Sequence, residues 1–127
     1  MNIDLLLVFR LLEFLCGVYY LIFGIDGFVK KIPLPTPSPA AIQFLSALEN
    51  SKYILPLVKS IEIGVGLCFI FQFQQPLAWC LLSPIVVNIL GYHFFLNKKE
   101  IVMPLVILIS HLIMGIKYYS HLRFLIQ

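Results

Sequence analysis

Ile3 to Phe28 reads IDLLLVFRLLEFLCGVYYLIFGIDGF. About 20 mostly apolar residues carry an α-helix across the hydrocarbon core of a bilayer, and this run is long enough to do so. Asp4 and Asp26 lie near its ends, but Arg10 and Glu13 fall inside it. A charge at membrane depth costs a few kcal/mol or more, so these two side chains are expected to face protein and not lipid.

The rest of the chain repeats the pattern. The 127 residues are 61% hydrophobic and 12% charged, with a mean hydropathy of +0.98. Soluble domains are about half apolar and a quarter charged, so a domain this small has more apolar surface than a core can hide. Three further runs are also long enough to span: Tyr53 to Phe73, Pro76 to Leu96 and Ile101 to Leu122. Backbone groups in lipid must pair internally, which makes each run a helix. The first run lacks a basic leader and a small-x-small cleavage site, so it reads as a retained span. The expected fold is all-α, a single polytopic membrane domain over residues 1–127 with an antiparallel bundle of four transmembrane helices.

The connections differ in kind. Gln72 to Pro76 and Asn97 to Glu100 are tight turns that make neighbouring helices antiparallel. Val29 to Lys52 is long. Pro33, Pro35, Pro37 and Pro39 alternate with other residues in it, which favours an extended arm. Ser38 followed by Pro39 then reads as the N-cap and first position of a short helix ending near Asn50, with Ile42, Leu45 and Leu48 on one face.

The long connection and the Asn97 turn share one side of the membrane. That side carries Lys30, Lys31, Lys52, Lys98 and Lys99, whereas the opposite side has Arg123 as its basic residue outside the spans. The positive-inside rule makes the lysine side cytoplasmic, places both termini outside, and points to the cell (inner) membrane. Lys and Arg form no patch interleaved with aromatics, which argues against nucleic-acid binding. Cys16, Cys68 and Cys80 are odd in number, lie within apolar runs and have no C-x-x-C spacing, so they read as small buried hydrophobes.

The informative residues are polar ones at membrane depth. Arg10 with Glu13 and Lys59 with Glu62 repeat a base followed three residues later by an acid, a spacing that puts both on one helix face as a local charge pair. VFRLLEFLCG from Val8 and LVKSIEIGVG from Leu57 share this pattern, so the first two spans read as crude inverted relatives. Antiparallel placement would bring Glu13 and Glu62 toward one another near the midplane. The third and fourth spans add Asn88 and His111 near the midplane, His93 nearer the lysine side and Lys117 nearer the opposite side. Glu13, Gly17, Tyr20 and Gly24, then Pro84, Asn88, Gly91 and Phe95, then Pro104, Leu108, His111, Gly115 and Tyr118 follow heptad spacing and are expected to be packing seams. Polar side chains on such seams can act as interhelical glue worth about 0.6–2 kcal/mol each, which accounts for Asn88 taken alone. Glu13, Glu62 and His111 at one depth favour a site instead. Bis-histidine haem is disfavoured because His93 and His111 differ in depth by roughly 9 Å at the helical rise, and no cluster has zinc-ligand spacing.

The order of Arg10, Gly17, Gly24, Gly27, Phe28 and Lys30, a proline-containing loop, Glu62-Ile63, Gly66, and PIVVNILGYHFFL from Pro84 to Leu96 resembles the DoxX-like small membrane proteins over almost the entire chain. The resemblance implies a four-helix integral membrane protein and, for some relatives, a link to respiratory or sulfur redox chemistry. Relatives of that kind are similar to subunits of a thiosulfate:quinone oxidoreductase. The chain lacks the cysteine pair of thiol-disulfide relays.

The leading expectation is therefore a redox-associated subunit that binds a quinone or other small amphipathic molecule. Glu13, Glu62, Asn88, His93 and His111 are the candidate ligand-binding residues, Lys59 stands at an entrance, and Tyr20 and Tyr92 flank the ring. No residue set supplies a redox centre, so whether the chain is itself an enzyme stays open, and a membrane or peripheral redox partner would donate electrons. A homo-oligomer is a further possibility. Two rivals are a proton or small-molecule transport element, with a wet path from Arg10 to Lys59, and a structural or assembly subunit without a ligand.

Overall fold

The computed structural model describes residues 2–127, and every regular element in it is helical. Helix α1 covers Ile3–Val29, α2 Pro39–Asn50, α3 Ile54–Ile70, α4 Gln75–Gly91 and α5 Val102–Leu122. Three helices are long and apolar enough to cross a membrane: α1, α4 with its continuation to Leu96, and α5 with its continuation to Leu125. Helices α2 and α3 qualify only as a pair broken by a 90° bend, which makes the number up to four.

Local chemistry sets the boundaries. The Asn2 side chain accepts the Asp4 N–H at 3.1 Å and opens α1. At the other end Lys30 turns left-handed (φ 53°), and Asp26 Oδ1 accepts the N–H groups of Lys31 and Ile32 at 2.8 and 2.9 Å. Its 27 residues span roughly 40 Å, more than the hydrocarbon core alone requires. Residues 31–38 form no regular element, and Ser38 caps α2 by accepting the Ala41 N–H at 3.2 Å, with Pro39 at the first helical position. Lys52, also left-handed (φ 65°), turns the chain from α2 into α3. Helix α3 stops three residues short of the expected Phe73, because Gln72 and Gln74 adopt left-handed conformations (φ 56° and 48°) and build the turn into α4. Helix α4 ends in a π-helical turn over Tyr92–Leu96, and a 3-10 turn over Lys98–Glu100 leads to α5.

The α1–α3 pair is the most extensive contact, and glycine makes it so close. A Cβ on Gly17 would sit 2.8 Å from the Gly66 carbonyl oxygen, one on Gly66 would sit 2.7 Å from that of Gly17, and one on Gly24 would meet Ile63. These pairings run in opposite senses along the two helices, so α1 and α3 are antiparallel. Without a hydrophobic force between helices in lipid, close backbone approach supplies the dispersion contact that holds them. Helix α4 packs on α3 and α5, and Phe69, Leu82, Val86, Met114 and Tyr118 fill the centre. The outer faces are apolar: Leu7, Leu11, Leu15 and Ile22 of α1 and Val106, Ile109, Leu112 and Ile116 of α5 are exposed.

Two of the three heptad rows follow the packing. Phe9, Glu13, Gly17, Tyr20 and Gly24 are the buried residues of α1, and Pro104, His111 and Tyr118 are buried on α5. The α4 row is a correction. Pro84, Asn88 and Phe95 are exposed and Gly91 meets open space, while Ala78, Leu82, Ile85 and Val86 form the buried face. The row is interrupted in two ways: Pro84 and Asn88 line a cavity, and the π-helical turn carries Phe95 out of register.

Candidate functional site

Glu13 is fully buried. Its carboxylate accepts from Lys117 Nζ at 2.5 Å, from the Tyr118 hydroxyl, and from Gln75 Nε2 at 3.3 Å. Lys117 and Tyr118 come from the last turns of α5 and Gln75 from the first residue of α4, so three helices converge on one acid. The expected Arg10–Glu13 pair is not formed. Arg10 is exposed, because Glu13 turns inward along the buried stripe of α1 while Arg10 lies off that stripe. Each carboxylate oxygen is occupied, and the cluster is closed.

Glu62 is buried on α3 and accepts from Lys59 Nζ at 3.0 Å, as the i, i+3 spacing requires. The two acids do not meet. Gly24 packs beside Lys59 and Ile63, which puts Glu62 near its level, and Glu13 lies three turns earlier on α1, roughly 16 Å along the axis. Phe69, Leu82 and Met114 fill the core, and Gly17 against Gly66 closes the interhelical seam between the two levels.

Around Glu62 the helices part. A cavity of about 690 Å3 opens at the lysine-rich end. Tyr19 and Phe23 of α1, Val58, Lys59 and Glu62 of α3, and Met103, Pro104 and Ile107 of α5 form part of its wall. Helix α4 contributes Pro84, Ile85, Asn88 and Ile89, and its π-helical end contributes Tyr92 and His93. The roof is the first connection: Leu34, Pro35 and Pro37 of the arm and Phe44, Leu45 and Leu48 of α2. Phe44 also lies against Tyr92, with ring centroids 6.0 Å apart. The Ser38 hydroxyl donates to the Leu96 carbonyl and pins the arm to the end of α4. The proline spacing that keeps the arm extended thus lets it reach across the bundle and close the cavity.

The wall is apolar with a few convergent polar groups, the composition of small-molecule sites, and its volume falls in their usual range. Lys59 and Glu62 form one polar edge. Asn88 is exposed to the cavity one turn beyond Pro84. His93 Nδ1 is buried without a hydrogen-bond partner among the described residues. Asn97 and Glu100, which the sequence reading did not single out, complete the rim and are joined at 3.3 Å. Tyr92 lines the cavity as expected of a ring-flanking aromatic, whereas Tyr20 is packed in the core.

His111 belongs elsewhere. Its ring stacks on Trp79 with centroids 4.6 Å apart and planes within 7°, and Trp79 Nε1 donates to the His111 carbonyl at 2.8 Å. Ser83 Oγ donates to the Trp79 carbonyl at 2.9 Å and lies 2.9 Å from His111 Nε2. With its single proton so used, Ser83 accepts from Nε2–H, which leaves His111 Nδ1 a buried, unpartnered acceptor. The cavity reaches neither Ser83 nor His111. Of the five candidate ligand residues, Glu62, Asn88 and His93 therefore share one site, while Glu13 and His111 belong to other clusters. A sequence does not show which heptad rows face the same gap, and Trp79 and Gln75 gave no signal beyond their residue types.

Cys16, Cys68 and Cys80 are free and half-buried. Among the described residues no group of three or more His, Cys, Asp or Glu is placed to hold a metal ion. A smaller crevice of about 210 Å3 lies outside the roof, between the end of α1 and the α2–α3 bend, and Lys59 lines both spaces. Comparison with family models, with curated proteins and with solved structures finds no match to this chain.

Proposed function

We propose that the chain is an integral membrane protein of DoxX-like type, with α1, α3, α4 and α5 crossing the bilayer antiparallel, that receives a quinone or similar amphipathic molecule in its cavity. The carrying observation is the cavity itself, large, mostly apolar, and edged by Lys59, Glu62, Asn88 and His93. An apolar ring or tail would lie against Phe23, Ile85, Ile89 and Ile107. A carbonyl at the polar edge would take hydrogen bonds from the Lys59 ammonium and the Asn88 amide, and the unpartnered His93 nitrogen offers a further polar contact. In a redox role the ligand would carry the electrons and a partner protein would supply them, while the cavity edge supplies binding and proton-exchanging side chains.

The DoxX-like resemblance supports the redox association. Gly17, Gly24 and Gly66 sit at the α1–α3 contact, while Pro84, Asn88 and His93 line the cavity. The positive-inside rule places the roof and the lysine-rich end on the cytoplasmic side of the cell membrane. A transport path from Arg10 to Lys59 is less well supported, because Arg10 lies outside the Glu13 cluster and packed core separates that cluster from Glu62.

The test is gentle extraction followed by mass spectrometry of copurifying small molecules, together with titration of a short-chain quinone into protein in lipid nanodiscs. Wild type should retain or bind the ligand, and Glu62→Gln with Asn88→Leu should lose it while Glu13→Gln keeps it in the protein that folds. An empty wild type that also binds no quinone sinks the reading.

A further inference from the structure

We propose that the crevice beside the α2–α3 bend is a binding site for a phosphate ester, supplied by the headgroup of an anionic phospholipid. Three lysines line it, Lys30 at the end of α1, Lys52 at the bend and Lys59 one turn into α3, with Glu49 the one acid among its lining residues. Lys59 is held by Glu62. Its stem crosses directly over Gly27, where a Cβ would collide with it, so the absence of a side chain at Gly27 is what lets Lys59 form the inner wall. Lys30 pairs with Glu49, but both side chains are more than half exposed, and such pairs exchange readily for a better anion. Lys52 has no carboxylate partner among the described residues.

The backbone adds a second, independent attraction. Helix α3 begins in the crevice, and its first turn is poorly satisfied. Ser51 Oγ takes the Ile54 N–H at 3.3 Å, Pro56 has no N–H, and the Leu55 N–H has no acceptor among the described residues. Leu55 and Pro56 both line the crevice. An open N–H at the positive end of a 17-residue helix, flanked by lysines, is the chemistry that binds phosphate. A crevice of about 210 Å3 holds a headgroup phosphate and not a ring with a tail, which separates it from the larger cavity.

Position selects the source. The inference rests on the spanning arrangement proposed above. In that arrangement α1 ends and α3 begins at the membrane surface, so the crevice opens at headgroup depth beside the exposed Phe28 and Val29, along which an acyl chain can lie. A soluble phosphate would meet the same lysines without that apolar flank.

The experiment uses full-length protein reconstituted in nanodiscs of phosphatidylcholine containing phosphatidylglycerol, with native mass spectrometry counting retained lipid. Wild type should retain phosphatidylglycerol in preference to phosphatidylcholine, with the preference shrinking as salt rises. Lys30→Asn and Lys52→Asn remove the charges at two left-handed positions that Asn tolerates, so the backbone is not further strained. Each should lower the preference about fivefold, from the surface attraction typical of one lysine. Arg10→Gln, at the opposite end, should leave it intact. Equal retention of the two lipids, or a preference that survives the double variant, overturns the site. Binding of inorganic phosphate that displaces the lipid at low millimolar concentration overturns the lipid source in favour of a soluble ester. Circular dichroism and melting in pure phosphatidylcholine identify a variant that has merely unfolded. Failure of the chain to insert into bilayers would remove both readings, whereas loss of quinone binding with the lipid preference kept would sink only the cavity reading.

Discussion

Glu13 and Glu62 are both buried acids on the α1–α3 pair, yet they have opposite surroundings. Glu13 is met by donors from α4 and α5 that occupy both oxygens, and core packs around it. Glu62 has one donor, from its own helix, and faces an open cavity. An acid that takes donors from two other helices ties all three together, because removing it strands an ammonium in an apolar environment. An acid with spare hydrogen-bonding capacity beside a void is available to a ligand. Burial is common to both, so burial alone does not identify the functional one.

The largest effect should come from breaking the closed cluster. Glu13→Ala leaves Lys117 unpaired at 17% side-chain exposure and is expected to cost about 3–5 kcal/mol, read as a lowered thermal midpoint in detergent. A midpoint within a degree of wild type would remove the distinction between the two acids. Gly17→Ala places a methyl group against the Gly66 carbonyl, where backbone cannot give way cheaply, and should cost about 1–3 kcal/mol by the same readout. Gly64→Ala is its control, because that position faces open space. Glu62→Gln keeps the size of the side chain and should barely move the midpoint while weakening the cavity ligand about tenfold, or roughly 1.4 kcal/mol. A large stability loss without a change in binding would make Glu62 a second structural acid.

The smallest effect concerns the exposed Lys30–Glu49 pair. The hydrogen bond and charge of Lys30 hold the Glu49 carboxyl below its ordinary value. A lowered folded-state pKa contributes stability above the unfolded value that is lost as pH falls through the folded one. Glu49 is more than half exposed, so Glu49→Gln should lower the neutral-pH midpoint only marginally and flatten its acid-side slope by the same small amount.

The long helices were legible because lipid makes hydrophobic length decisive, and so was the packing seam of α1: Glu13, Gly17, Tyr20 and Gly24 are all buried, although Arg10, also expected inside, is exposed. Ser38 and Pro39 announced α2 through capping chemistry. The site was only half legible. Local spacing found Lys59–Glu62, since a three-residue offset fixes neighbours within one helix. The same rule failed at Arg10–Glu13, because contacts from α4 and α5 outcompeted the local partner, and nothing in the sequence marks Lys117 as lying across from Glu13. Heptad spacing likewise found helix faces but not what those faces meet. On α4 the first half of the expected packing row, Pro84 and Asn88, lines the cavity, and the π-helical turn changes the register at the end.

The Ser38–Leu96 hydrogen bond joins positions far apart in the order of synthesis. The arm and α2 leave the ribosome well before the end of α4 does, so the roof exists before the wall it fastens to. The cavity wall also needs Met103, Pro104 and Ile107 of α5, which follow Leu96 in the chain. The enclosed space therefore depends on residues made well after its roof, and it is complete only once α5 has been synthesised and packed.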